Sequence, residues 1–103
     1  MPIRTEEENG RLTVFLSGDI DHATARPMML ELDREVAKRT PCALRVDMSA
    51  VTFMDSSGIA VLLRTWRRLQ ETQSSMEVTA VPHQPWKVFS AAGLPKIIPM
   101  KAL

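Results

Sequence analysis

The chain has 103 residues, enough for one domain with a single hydrophobic core and too few for two. Hydrophobic residues make up 45% and charged residues 24%, a globular mix that argues against a disordered chain. The formal net charge of +1 creates no long-range field, so direct binding of nucleic acid or of an anionic membrane surface is not expected.

Cys42 is the one cysteine, which rules out an internal disulfide. Residues 1–9 carry Arg4 and the run Glu6, Glu7, Glu8 with no apolar stretch, unlike a secretory leader. No apolar run approaches the roughly 20 residues that span a bilayer. These features, with the start at Met1, lead us to expect a free-standing cytoplasmic protein of one domain over residues 1–103.

Asn9-Gly10 is a strong two-residue turn signal. It separates a polar arm, Ile3 to Glu7, from Arg11 to Ser17, where Leu12, Val14 and Leu16 alternate with Thr13, Phe15 and Ser17 in the period of a strand. Gly18 to His22 reads as a turn. A helical pattern runs from about Thr24 to Arg39, with Ala25, Met28, Met29, Leu32 and Val36 on one face and a Glu35–Arg39 pair in the favourable order. Pro27 falls early in that pattern, where a missing N–H costs least. Thr40-Pro41 ends the helix.

Ala43 to Met48 reads as the next strand, followed by a loop with Phe53 as an aromatic anchor. A second helix follows from about Ser57 to Thr72, with Ile59, Leu62, Leu63, Trp66 and Leu69 as its apolar stripe. Arg64, Arg67 and Arg68 read as its solvated face. Met76 to Val81 is a further strand, Trp86 to Ala92 a short helix stopped by Gly93 and Pro95, and Ile97-Ile98 a brief edge strand. Helices between strands imply parallel crossovers, and the opening hairpin makes the sheet mixed. The strands alternate where a sheet covered on both faces would run apolar throughout. The expected architecture is therefore α/β, a four- to five-stranded mixed sheet with helices packed mainly on one face.

Most catalytic signatures are missing. The four glycines are scattered and form no phosphate loop or dinucleotide fingerprint. No histidine pair stands at ligand spacing and there is no second cysteine, so no zinc site or other cofactor is expected. Asp19, Asp21 and Asp55 could converge on a metal, but carboxylates at element ends are more often turn formers and helix caps. Ser57 lacks the preceding glycine of a nucleophile elbow. His22 reads as a surface loop residue and His83 has no visible partner, so a Ser-His-Asp hydrolase is not supported. Cys42, at the start of a strand, reads as a packing residue.

The informative stretch is Asp55-Ser56-Ser57-Gly58, at the start of the second helix. A serine there has a plain reading as a cap. Two serines after an aspartate exceed what a cap needs, and Gly58 just inside a helix is a poor helix former that permits a close approach to the backbone. The residues alone leave the capping and the functional readings open.

Asp55-Ser56-Ser57-Gly58-Ile59-Ala60-Val61-Leu62 resembles the phosphorylation motif of STAS domains, specifically of the anti-sigma factor antagonists. Leu16-Ser17-Gly18-Asp19-Ile20-Asp21 with Thr24-Ala25, Val46-Asp47-Met48 and Phe53-Met54-Asp55 are also similar to that family, over roughly Ile3 to Leu94. The resemblance implies the STAS fold and a partner switch without enzymatic activity. An anti-sigma factor that is also a serine kinase would phosphorylate Ser57. The unphosphorylated chain would bind that kinase and release the sigma factor, and a phosphatase would reset it. Asp19, Asp21, Asp55, Ser56 and Gly58 would flank the site and face the partner, with the open sheet face available for a weak homodimer. The family's longer final helix after Gly93-Leu94 is not expected, because Pro95 and Pro99 discourage it. The rival readings are a non-switching STAS scaffold or lipid-transport accessory module and, from another class, a small hydrolase or nucleotide-binding enzyme.

Overall fold

Asn9 and Gly10 both take positive φ, 53° and 80°, the left-handed pair that a tight hairpin requires. They reverse the chain between β1 (Ile3–Glu8) and β2 (Arg11–Ile20), which pair antiparallel from Ile3↔Leu16 to Glu8↔Arg11. The computed structural model describes residues 3–103. Met1 and Pro2, the start of the segment read above as too polar for a leader, lie outside them.

The remaining elements are α1 (His22–Arg39), β3 (Ala43–Met54), α2 (Ser57–Glu71), β4 (Ser75–Val81), α3 (His83–Ala91), a 3₁₀ turn at Leu94–Lys96 and β5 (Met100–Ala102). The sheet order is β1-β2-β3-β4-β5, and every pair after the hairpin is parallel. Leu12, Val14, Leu16, Leu44, Val46, Met48, Met76 and Val78 point to one side of the sheet. They form one core with Ala25, Met28, Leu32, Val36, Val61, Leu62, Leu69 and Phe89 from the helices. Thr13, Phe15, Arg45, Asp47, Glu77 and Thr79, on the other side, remain half-buried or exposed. The alternating pattern thus reports a mixed sheet with its helices on one face.

Both central strands run longer than alternation suggests. β2 continues to Ile20 and β3 to Met54, six residues beyond the expected end at Met48. The reason lies in the β2–β3 register, which shifts between Phe15 and Ser17 and again between Gly18 and Asp19. At each shift β3 contributes one extra residue, a β-bulge. Past Met48 the core-facing residues are therefore Val51 and Met54, spaced by three, and the period-2 signal is lost. Phe53, expected as an aromatic anchor in a loop, is consequently an exposed residue of β3. A similar irregularity occurs at Ala80, whose φ of 55° turns Val81 into the core. The last strand is β5, not Ile97-Ile98. Ile98 is buried beneath the 3₁₀ turn, and the Pro99 carbonyl accepts the Val78 N–H at 2.9 Å.

α1 begins two residues before the expected start, because Asp21 and Thr24 form a reciprocal cap. Asp21 Oδ1 accepts the Ala23 and Thr24 N–H groups at 2.9 and 3.1 Å, and Thr24 Oγ1 accepts the Asp21 N–H at 2.9 Å. At the other end Arg39 joins α1 to β1, bonding Glu35 at 3.3 Å and Glu7 at 3.1 Å. The hydrogen bonds to Glu35 and Glu7 raise the Arg39 pKa above its ordinary value. Arg64 and Arg68 reach across from α2 to Asp33 of α1, at 3.1 and 3.8 Å, while Arg67 stays exposed. Much of the basic face therefore ties the two helices together. Cys42 is exposed, and its Sγ donates to the Gly10 carbonyl at 3.2 Å, so it is a hairpin contact and not a packing residue.

The early start of α1 puts Pro27 at the sixth helical position, beyond the turn where a missing N–H is harmless. Its ring removes the bond that would run to the Ala23 carbonyl. Pro27 is exposed, so Pro27→Ala has room. This substitution is expected to raise stability by about 1 kcal/mol, read as a higher midpoint in urea with an unchanged slope.

Candidate functional site

The ends of β2 and β3 lie side by side, with Ile20 opposite Met54. Just beyond, the Asp55 N–H donates to the Ile20 carbonyl at 3.0 Å. This brings the Asp19–Asp21 segment beside the Asp55–Gly58 turn. β4 leaves β3 after the Asp47↔Thr79 pair, so the far end of β3 has no strand on that side. Gln84, in the first turn of α3, takes the place of one. Its Oε1 accepts the Met54 N–H at 2.8 Å, and its Nε2 donates to the Met54 carbonyl at 2.7 Å. The side-chain amide thus completes both backbone bonds of the residue before Asp55. Sequence reasoning missed Gln84, because a glutamine in a first helical turn carries no pattern.

The turn into α2 is capped by Asp55 and not by a serine. Asp55 Oδ1 accepts the Ser57 N–H at 2.7 Å, and the Asp55 carbonyl accepts the Gly58 N–H at 3.1 Å. The Ile59 N–H donates to the Ser56 carbonyl at 3.1 Å. Three N–H groups of the helix start are therefore occupied, contrary to the usual picture of an open anion site at a helix N-terminus. Neither serine hydroxyl makes a hydrogen bond among the described residues. Ser56 is exposed and Ser57 half-buried.

Gly58 is explained from within. It is buried, and a Cβ at this position would overlap Sδ and Cγ of Met54, which is itself fully buried. The close approach that a glycine permits here is that of the chain's own methionine. Gly58 thus acts beneath the site and does not face outward.

The carboxylates do not converge. Asp19 Oδ1 accepts from Thr52 Oγ1 at 2.6 Å, Asp21 caps α1, and Asp55 caps α2. Among the described residues no group of three or more His, Cys, Asp or Glu side chains is placed to hold a metal ion. His22 and His83 open α1 and α3 and are exposed, and neither bonds the Ser57 hydroxyl. Among the described residues no base therefore bonds the Ser57 hydroxyl.

Comparison with known proteins identifies the family. The model of the STAS domain family matches residues 2–102. The chain belongs to the STAS domain family. An anti-sigma F factor antagonist of Paenibacillus polymyxa is 29% identical over 97% of this chain and 86% of its own length. The crystal structure of an anti-sigma factor antagonist from Mycobacterium paratuberculosis is similar at 30% identity. Its TM-score is 0.87 over 98% of this chain and 85% of that one. These two relatives put the chain among the anti-sigma factor antagonist members of the STAS family. SpoIIAA has been solved in its unphosphorylated form, with a TM-score of 0.81 at 20% identity over 98% of this chain and 88% of that one. Its phosphorylated form, from Bacillus, scores 0.73 at the same identity over 98% and 91%. At that identity the likeness shows the shared fold alone.

Two substitutions test how this STAS turn is built. Gln84→Ala leaves the Met54 N–H and carbonyl without partners and should cost about 1–3 kcal/mol. In hydrogen exchange, the Met54 and Asp55 amides should lose protection before the rest of the sheet. Gly58→Ala overpacks Met54 and should cost about 1–3 kcal/mol in chemical unfolding. The same substitution in a Met54→Ala background should cost less than half as much, which a merely helical effect of alanine would not produce.

Proposed function

We propose that this chain is a non-enzymatic partner switch that binds an anti-sigma factor kinase when Ser57 is unmodified and releases it when Ser57 is phosphorylated. The observation that carries this reading is the division of labour at the turn. Asp55 does the capping, which leaves the hydroxyl of the half-buried Ser57 with no hydrogen bond to break, among the described residues, before it can accept a phosphoryl group. The kinase would supply the phosphoryl donor and the base, since no described residue places a base at the hydroxyl. A phosphatase would return the switch to its binding form, and the whole sequence of events belongs in the cytoplasm, where the sigma factor acts.

A phosphate on Ser57 adds about −1.5 to −2 charges at neutral pH. It would stand two residues from the Asp55 carboxylate. The N–H groups of Ser57, Gly58 and Ile59 that could have received it are already engaged. The dianion therefore has little reason to fold back onto its own helix and remains on the surface presented to a partner. A partner surface shaped around a neutral hydroxyl must then desolvate the new charge, a cost of several kcal/mol. The fold has no such conflict, and SpoIIAA, which shares it, exists as a folded protein in both forms. Asp19, Asp21 and Ser56 border the same surface and Gly58 supports it from below.

The test combines purified chain, ATP and the cell's anti-sigma serine kinase, with the modified residue located by mass spectrometry. Phosphate is expected on Ser57 and nowhere else, with none on Ser57→Ala. Far-UV circular dichroism should be unchanged by phosphorylation, while affinity for the kinase falls at least tenfold. Ser57→Asp should weaken kinase binding in the same direction, whereas Ser57→Ala should keep binding near the unmodified level. Equal kinase affinity in the modified and unmodified forms would overturn the switch and leave a constitutive scaffold.

A further inference from the structure

We infer that Phe53 is an exposed aromatic anchor for the partner, seated in an apolar pocket of the anti-sigma factor kinase whose rim is basic. The inference rests on the proposed switch and adds to it the residue that carries affinity. Its basis is the second bulge of β3. Val51 faces the core, and simple alternation would return Phe53 to the core with it. Between the Gly18↔Val51 and Asp19↔Phe53 pairs the register shifts by one residue. Thr52 and Phe53 are therefore both turned to solvent, and the inward place passes to Met54. Phe53 is 45% exposed although one sheet register away from complete burial. Bulges re-aim side chains, and a large aromatic turned outward beside a functional turn is the residue type that dominates interface energetics.

Single exposed apolar side chains are common, so exposure alone decides nothing. Position and surroundings distinguish this one. Phe53 lies four residues before Ser57 on a strand end pinned by Gln84 and Ile20, which makes it a rigid contact with little ordering entropy to lose. Asp19 stands opposite it in the register and Asp55 follows two residues later. Those two carboxylates set the chemistry of the occupant: an apolar pocket for the ring, bordered by cationic or N–H donor groups. The ring's contact does not depend on charge, so the desolvation cost of an added phosphate would oppose it at a separate point of the same surface.

The experiment measures equilibrium binding of the unphosphorylated chain to the purified kinase, together with initial rates of Ser57 phosphorylation. Phe53→Ala is expected to weaken binding at least 30-fold and to raise KM by a similar factor with kcat nearly unchanged, as for loss of uniform binding. Phe53→Leu should retain affinity within about fivefold, and both variants should keep the native circular dichroism spectrum. Leu30→Ala, which removes a comparably exposed side chain (48%) from α1, should bind like the unaltered chain. If the unaltered chain binds and is phosphorylated but Phe53→Ala binds within threefold of it, the anchor is overturned and the switch stands. An equal loss in Leu30→Ala would also overturn it, since any apolar surface would then serve. If the unaltered chain does not bind the kinase, the switch and the anchor fall together.

Discussion

The functional turn depends on how Met54 is held. Its backbone N–H and carbonyl are both bonded to the amide of Gln84, the N–H of the next residue reaches the Ile20 carbonyl at the end of β2, and its side chain fills the space beneath Gly58. Strand ends normally fray, because their last peptide groups lack partners. Here the last residue of β3 has all its backbone capacity used and its side chain fully buried. Asp55, Ser56 and Ser57 therefore begin from a fixed point. A Met54 that could shift would move the start of α2 with it, since no Cβ separates it from the helix.

That fixed point is made without spending the polar groups that a partner would read. In many helices a serine at the start accepts a backbone N–H and loses its availability as a nucleophile or contact. Here the aspartate performs this role at 2.7 Å, and the aspartate of the neighbouring α1 does the same within its own capping box. Asp19 is engaged by Thr52. The acidic residues around the site are thus structural in their bonding and still contribute negative charge at the surface. Among the described residues, the hydroxyls of Ser56 and Ser57 are left without a hydrogen bond. This division makes the three carboxylates poor metal ligands and good neighbours for a site that is to be read by charge.

The sequence revealed the elements whose signal is local and hid those that depend on register. The hairpin turn at Asn9-Gly10, the order of strands and helices, and the coverage of one sheet face all follow from periodicity and turn chemistry in short windows. The position of Ser57 at a helix start followed as well, because Asp-Ser-Ser before an apolar period marks an N-terminus in several ways at once. The extension of β3 to Met54 did not follow, since two bulges converted a period of two into spacings of three at Val51 and Met54. Phe53 was placed in a loop for the same reason, and it lies in β3. Gly58 showed only that something approaches the backbone closely there, because the Met54 side chain that does so is brought there by the fold. Gln84 could not be seen at all: its role is a contact across 30 positions in sequence, made by a residue type without a periodic signature.

A rigid site constrains how a switch of this kind can act. A flexible turn could absorb a phosphate by rearranging, and its partner would then sense an altered backbone. In this chain the backbone around Ser57 is held from three sides, and rearrangement would expose Met54 or break the Asp55 cap. The least costly response to a new dianion is to leave the fold as it is and change only the outer surface. Information then passes as electrostatics and desolvation at a fixed position, which needs no second conformation of the messenger and no population shift within it. In the proposed switch, the discrimination would reside in the partner, whose pocket would bind the neutral hydroxyl and reject the charged form. The bulge that turns Phe53 outward fits this arrangement, because an aromatic contact provides affinity that is independent of charge. In the proposed switch, phosphate on Ser57 would oppose an affinity that the ring would supply in both forms.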